Sequence, residues 1–395
     1  MRGLRLFIML MCVAAIVAFS QTGSNQSTPP SGGQAAKPAD PNAGKTTDEA
    51  FKNIQSLKGV PADELIPAMQ YFNAALGVDC NYCHVVQPTR AFEKDDKDEK
   101  KTARLMIAMT QAINKDNFKG NVEVGCATCH GGRAHPTAVP PIGDEHQGGP
   151  RQVAAQAQAS QQAQPQAPGQ PQTPAKPQLP SVEQIVDAYQ SAIGGKTAIQ
   201  KLTSMIEKGT ATTAQGTIQV ELDRKAPNLF ATTLVFPNGR TSVDASNGSI
   251  AWNKSERVND MTGYQLRTVL IGARFDRDLA PTANFANAKV AGTDTIDGHD
   301  CYVVRGTLKD SAYSERLFFD RQSGLLLRRT TYQKTLFGPL PDTSDFSDYR
   351  DVQGVKVPFA LVRSRPGQAF TVKFDKVEFN VPVDDSKFVR PAGGQ

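Results

Sequence analysis

Two pentads limit this chain more than anything else in it: Cys80-Asn81-Tyr82-Cys83-His84 and Cys126-Ala127-Thr128-Cys129-His130. A CxxC pair followed at once by histidine is the attachment signature of c-type haem, in which both thiols add across the porphyrin vinyl groups and the histidine binds iron from the proximal side. Paired CxxC motifs can also build tetrahedral zinc knuckles. Three features weigh against zinc: the histidine behind each pair, the 46 positions separating the first cysteines of the two pairs, and the signs of export described next. Two covalently attached haems c are therefore expected, on Cys80 and Cys83 and on Cys126 and Cys129, with His84 and His130 as proximal iron ligands.

Arg2 and Arg5 precede an apolar run from Leu6 to Phe19, and Ser20 offers a small residue at which to cleave before Gln21. The run is shorter than the roughly 20 apolar residues of a membrane span, so residues 1–20 read as a cleaved secretory signal, with an uncleaved anchor as the alternative. The expected location is the periplasm. Cys12 falls inside the signal, and four of the remaining cysteines belong to the pentads. Only Cys301 is left, so a disulfide framework within one chain is excluded. Its surroundings, Cys301-Tyr302-Val303-Val304, suit a strand's buried face.

Composition divides the 395 residues. Residues 21–45 are rich in Gly, Ser, Pro and Gln, and 141–180 in Gln, Pro and Ala; neither carries enough apolar surface to offset its ordering entropy. Both read as linkers around two modules, 46–140 and 181–393. The formal charge of +5 falls to +3 without Arg2 and Arg5, and residues 46–140 hold eleven basic and twelve acidic side chains. A module so nearly neutral lacks the basic face of a nucleic-acid binder. The run Glu93-Lys94-Asp95-Asp96-Lys97-Asp98-Glu99-Lys100-Lys101 reads as a solvated helix start, docking of a redox partner being the sharper alternative.

The first module reads as helical. Pro61 and Asp63-Glu64 start a helix whose apolar face is Leu65, Met69, Phe72 and Leu76, and Gly77 ends it in a left-handed stop before the first pentad. A second helix from about Asp98 to Asn114 carries the stripe Leu105, Met106, Met109, Ala112 and Ile113, and Gly125 precedes the second pentad. A six-coordinate haem needs a second axial ligand, and methionine sulfur is a common one. Met69 serves the first helix. On the second, spacing leaves Met106 and Met109 equally open, since methionine also fills core gaps. His135 and His146 follow the second pentad in Gly- and Pro-rich sequence, and Arg133 is close enough in sequence to pair with a propionate.

Residues from about Lys52 to Gly132 resemble the cytochrome c subunit of photosynthetic reaction centres. The matching segments are Met69-Gln70-Tyr71-Phe72-Asn73, Leu76-Gly77-Val78-Asp79 with the first pentad, Ala103 to Asn114, and Val124-Gly125 with the second pentad and Gly131-Gly132. That resemblance implies a periplasmic multihaem electron carrier, with Met106, next after the Ala-Arg-x element, as iron ligand and Met109 as a packing residue. It also marks a departure. Such subunits carry four haems in two pairs, often with a histidine before a later pentad, whereas this chain has one pair and no histidine from Asn114 to Gly125. A diheme unit is what carries over.

The second module opens with Ser181-Val182-Glu183-Gln184, an N-cap ahead of the series Val182, Ile185, Val186, Tyr189 and Ile193, and closes that helix at Gly194-Gly195. After a short helix near Lys196 to Leu202, apolar residues alternate with period two, as in Gly216 to Leu222 and Phe370 to Val377, between turns such as Pro237-Asn238-Gly239, Asp297-Gly298 and Gln322-Ser323-Gly324. One-sided hydrophobicity requires this antiparallel sheet to curl around a core or cavity. The order of a helix pair followed by a long meander, with the hairpin Phe318 to Arg328, is similar to the periplasmic LolA-like, lipoprotein-sorting half-barrels. This resemblance implies a curved sheet over helices that can shelter an acyl chain. His299 beside Asp300 and the isolated Trp252 form no catalytic cluster.

The expected architecture is thus multidomain: a small, mainly α multihaem cytochrome c domain joined to an α+β domain with a curved antiparallel sheet. The favoured function is single-electron transfer through two His/Met haems to redox partners in the periplasm or at the membrane, with a lipid or other apolar ligand as a possible occupant of the half-barrel. A diheme peroxidase with one open haem position is the alternative.

Overall fold

A computed structural model describes residues 41–136, 179–213, 216–309, 311, 313–365 and 368–392. The signal segment with Cys12, most of both linkers and His146 lie outside the described residues. Among the described residues, no helix is long and apolar enough to cross a membrane.

The N-terminal module is built from α1 (Thr47–Ala50), α2 (Leu65–Leu76), α3 (Cys80–Cys83), α4 (Asp98–Phe118) and α5 (Cys126–His130). Pro61 opens a 3-10 turn that leads into α2, and Gly77, at φ +64°, caps its end in the left-handed region. The module's core is small: Leu57, Leu65, Ala68, Tyr71, Ala75 and Ile107.

The second module starts with α6 (Val182–Ala192), whose Ser181 accepts from the Gln184 amide at 3.2 Å while Gln184 reaches back to the Ser181 amide at 2.8 Å. After α7 (Lys196–Ile199) come six strands, β1 (Ser204–Thr213), β2 (Gly216–Lys225), β3 (Leu229–Val235), β4 (Thr241–Ser246), β5 (Ala251–Lys254) and β6 (Val258–Asp260). Helix α8 (Gly263–Ala273) then carries the chain to the far side. Seven more strands follow: β7 (Phe285–Ile296), β8 (His299–Leu308), β9 (Tyr313–Asp320), β10 (Leu326–Thr335), β11 (Gly338–Val352), β12 (Val355–Arg365) and β13 (Gln368–Phe379).

All thirteen strands form one antiparallel sheet in the order 6-5-4-3-2-1-13-12-11-10-9-8-7. Every strand pairs with its sequence neighbour except where β1 meets β13, and β6 and β7 are the two edges. Helix α8, which joins those edges in sequence, lies on β4 and β5 and meets β9 where Thr268 Oγ1 lies 3.1 Å from Tyr313 Oη. The chain runs round half of the sheet, crosses once and returns round the other half. Its inner face buries Ile185 and Tyr189 of α6, and Ile193 at that helix's C-cap, against Leu317, Phe319, Phe359, Phe374 and Phe379. Cys301 is fully buried in β8, where burial pushes its thiol up to about 11. Trp252, isolated in sequence, packs in a small cluster with Ile250 and Phe388.

The interior also holds ions. Arg329 pairs with Asp278, and Arg277 donates to Glu315 at 2.6 Å. Arg224 lies 3.2 Å from Glu207, so three cations face three carboxylates inside the sheet. A bulge between Leu326 and Arg328 puts both Leu326 and Arg329 on the inner side, which simple alternation would have separated. Beside α8, a crevice lined by Ile271, Arg274, Arg277, Leu308 and Glu315 has a volume of about 10 Å³, room for a single water.

Candidate haem site

Gly77 serves two purposes. Besides ending α2, it lets the chain pass so close to the second unit that a Cβ there would lie 2.1 Å from the Gly132 carbonyl oxygen. The Gly132 amide in turn donates to the Ala75 carbonyl at 2.9 Å. The turn before the first pentad and the turn after the second are thereby clasped together. Packing is reciprocal: the first pentad helix α3 lies on the start of α4, and the second, α5, lies on α2. Each unit's attachment turn rests on the other unit's methionine helix.

The approach to the second pentad is fixed by Asn114, a residue that spacing alone did not single out. Its Nδ2 donates to the Val124 carbonyl at 2.7 Å, and its Oδ1 accepts from the amides of Glu123 and Val124 at 3.1 and 3.0 Å. Gly125 follows. A Cβ there would meet Tyr71 Oη at 2.3 Å and the Phe337 carbonyl oxygen at 2.6 Å, so only glycine fits.

The two histidines are oriented alike. His84 Nδ1 lies 3.0 Å from the Phe92 carbonyl and His130 Nδ1 lies 3.0 Å from the Arg133 carbonyl. A carbonyl only accepts, so each Nδ1 carries the proton and each Nε2 keeps its lone pair for a metal. Burial holds the His84 ring below its ordinary pKa, which favours the neutral, ligating form. Burial likewise raises the Cys83 and Cys126 thiols.

The stripe expected to bury itself on the second helix does not. Helix α4 turns Ile107, Thr110 and Asn114 inward, while Leu105 is 68% and Met109 45% exposed and Met106 is half-buried. Phe92, Phe118 and Val122 are exposed as well. Apolar groups left on this module's surface, Phe92 among them with its ring 5.4 Å from that of His84, suit a flat macrocycle laid over them. Thiols, preset imidazoles, thioethers and apolar surface all fit haem c.

The charged run is also more structured than a solvated helix start. Lys100 is buried, and Asp95 accepts from Asn53 Nδ2 at 3.0 Å and Arg104 at 2.9 Å and pairs with Lys100 at 3.0 Å. Those partners hold the Asp95 carboxyl well below the usual carboxylate range. Lys97 donates to the Asn81 carbonyl inside the first pentad. His135 is exposed, and His299 opens β8 with Nδ1 3.7 Å from Asp320.

The wall of this site is completed from the other module. The two-residue loop between β10 and β11 carries Phe337, 2% exposed, whose ring centroid lies 4.8 Å from that of Phe72 and 6.3 Å from that of Tyr71. Phe337 and Leu340 share one core cluster with Tyr71, against which Met69 and Cys126 also pack. Helix α8 adds a contact between Gln70 Nε2 and Tyr264 Oη at 3.1 Å and an ion pair between Arg267 and Asp63 at 3.0 Å.

A family model described as the photosynthetic reaction centre cytochrome C subunit matches residues 15–210. The helical module resembles the reaction-centre cytochrome c subunit. Among relatives of this cytochrome-like module, cytochrome c-554 of Chloroflexus aurantiacus is 36% identical over 85 residues, 20% of this chain and 20% of that protein. The photosynthetic reaction center cytochrome c subunit of Rubrivivax gelatinosus is 32% identical over 114 residues, 27% of this chain and 30% of that protein. The chain thus spans less than a third of the length of these curated relatives. A second family model, described as an uncharacterized protein, matches residues 252–392. Solved structures with related outlines include a DUF1329 family protein from Desulfovibrio piger, at 16% identity and TM-score 0.40, covering 53% of this chain and 97% of that one. A LolA superfamily protein from Nitrosomonas europaea gives 13% identity and TM-score 0.39, covering 53% and 98%.

Proposed function

We propose that this chain is an exported diheme c-type cytochrome that passes single electrons. Cys80 and Cys83 would hold one haem and Cys126 and Cys129 the other, with His84 and Met69, and His130 and Met106, as the residues that would ligate iron. The observation that carries this reading is the matched orientation of the two pentad histidines, each with Nδ1 on a backbone carbonyl at 3.0 Å. The likeness to reaction-centre cytochromes points the same way, to electron transfer by covalently bound haem rather than to an enzyme. It also supports a periplasmic location.

When bound, haem c with two strong axial ligands supplies a one-electron ferric/ferrous couple at a set potential. The chain's residues supply the rest. The thiols fix the macrocycle, the carbonyls of Phe92 and Arg133 fix imidazole tautomer and direction, and Asn114 and Gly125 fix the second attachment turn. Holding both ligands still keeps reorganisation small. The C-terminal half-barrel would act as a docking module for a redox partner or a lipid.

Mass spectrometry of the purified protein should show two haems per chain, and low-temperature EPR with near-infrared charge-transfer bands should show two low-spin His/Met centres. A high-spin ferric centre would overturn the carrier reading and favour a peroxidase-like enzyme.

A further inference from the structure

One carbonyl oxygen on the first side is shared. The Phe92 oxygen accepts from His84 Nδ1 at 3.0 Å and from Lys100 Nζ at 2.8 Å. Lys100 is 8% exposed, and its ammonium also donates to the Lys94 carbonyl at 2.7 Å and faces Asp95 at 3.0 Å. An ammonium has three protons, and three acceptors hold it, so the charge is fixed in direction as well as place. Asp95 is divided between Lys100 and Arg104, leaving two cations against one carboxylate behind Phe92. The acceptor used by His130 is different: the carbonyl of Arg133, three residues along in an exposed turn.

A ligating imidazole becomes more basic as the acceptor of its second N–H strengthens. A cation hydrogen-bonded to the same acceptor draws electron density from it and has the opposite effect. A buried positive charge near iron also favours the state carrying one less positive charge. We propose that Lys100 is a positioning residue for the iron site on His84: it holds the Phe92 carbonyl in place and weakens it as an acceptor, favouring the ferrous form of the haem on Cys80 and Cys83. The inference rests on the haem reading of the first pentad.

Lys100→Gln keeps a donor and removes the charge, whereas Lys100→Arg keeps both. Spectroelectrochemistry on the full-length haem-loaded protein reads the ferric/ferrous ratio of each haem at a fixed potential, with the haems assigned through the His84 and His130 resonances of histidine-labelled protein. The glutamine variant should raise the ferric/ferrous ratio of the first haem several-fold, tenfold being 59 mV for a one-electron couple. The second haem should stay within about twofold, and arginine should restore the first. A first-haem ratio unchanged in the glutamine variant, an equal shift at both haems, or failure of arginine to restore it overturns the proposal. In the unmodified protein, the His84 Nδ1–H resonance should report a weaker hydrogen bond than that of His130; the reverse order overturns it without any variant. The mass of the unmodified protein separates the two levels. No haem at Cys80 and Cys83 defeats the haem reading itself, whereas a loaded site with an unmoved ratio defeats only the role of Lys100.

Discussion

Replacing Phe337 with alanine tests whether the half-barrel's hairpin tip belongs to the cytochrome module's core. The side chain is 2% exposed and packs on Phe72 and Tyr71, so its loss combines forfeited burial with a cavity that the clasped turns cannot readily fill. Truncating a buried phenylalanine in this way costs about 3–5 kcal/mol. The other contacts are weaker. The Arg267–Asp63 pair, with side chains 42% and 33% exposed, is worth less than about 1 kcal/mol, and the Gln70–Tyr264 bond about 1 kcal/mol. Most of the free energy joining the modules therefore sits at the tip. Urea unfolding can be followed by Soret absorbance for the helical module and far-ultraviolet dichroism for the sheet. Both probes should trace one transition in the unaltered protein. In Phe337→Ala the Soret transition should move to lower urea by about 3–5 kcal/mol and separate from that of the sheet. Phe337→Leu, which keeps most of the volume, should cost less than about 1.5 kcal/mol. A Soret transition in the alanine variant within about 0.5 kcal/mol of the unaltered protein, the range of an ordinary surface change, would refute the shared core.

Two further outcomes are expected. Met106→Ala should abolish one low-spin His/Met EPR signal and shift one potential, while Met109→Ala, at a position 45% exposed, should leave both signals in place; the opposite pattern would move the ligand to Met109. Acid should weaken the sheet through Asp342, whose carboxyl burial alone would raise but which Arg363 and Arg365 bring down to about 2. Its folded pKa is below its unfolded value near 3.8, so the stabilisation is present above that value and is lost as pH falls through about 2. The loss amounts to about 2 kcal/mol. Asp342→Asn should flatten this part of the pH dependence of unfolding, and an unchanged slope would contradict the assignment.

What the sequence made legible was local. CxxCH places sulfur and imidazole within five residues, the Gly77 stop and the Ser181 cap act over one turn, and period-two alternation marks strands wherever one face is buried. The features it concealed depend on distant partners. Asp95 reads as one charge in an alternating run until Asn53, 42 positions earlier, is brought to its oxygen. Leu105, Met109 and Ala112 read as a core stripe because helical periodicity reports an apolar face without saying whether protein or cofactor covers it. Arg329 is turned inward by the bulge at β10, whereas strict alternation from Leu326 would have pointed it outward. The role of Phe337 was hidden because a hairpin tip normally meets solvent, and its partner Tyr71 lies 266 positions earlier in the chain.

The position of Phe337 also determines what kind of joint links the modules. Its loop has two residues, and Thr335 Oγ1 both accepts from the Phe337 amide at 3.2 Å and donates to the Gly338 carbonyl at 2.7 Å, so the tip cannot pivot freely on its strands. On the same strand β10, Arg329 is anchored inside the sheet by Asp278 and by the Arg277 carbonyl at 2.8 Å. Six residues of strand, 330–335, separate that anchor from the loop, a strut of about 20 Å at the usual rise. Asp278 and Arg277 lie just beyond the end of α8, the helix that joins the two edge strands in sequence and contacts α2 through Tyr264. Displacing α8 to admit a ligand would therefore disturb both ends of the joint at once: the ion pair that anchors the strut and the contact on Gln70. A domain with such a strut walls the pentad site, and if that site holds haem, anything that displaced the strut would be felt there through Phe337 and Gly125.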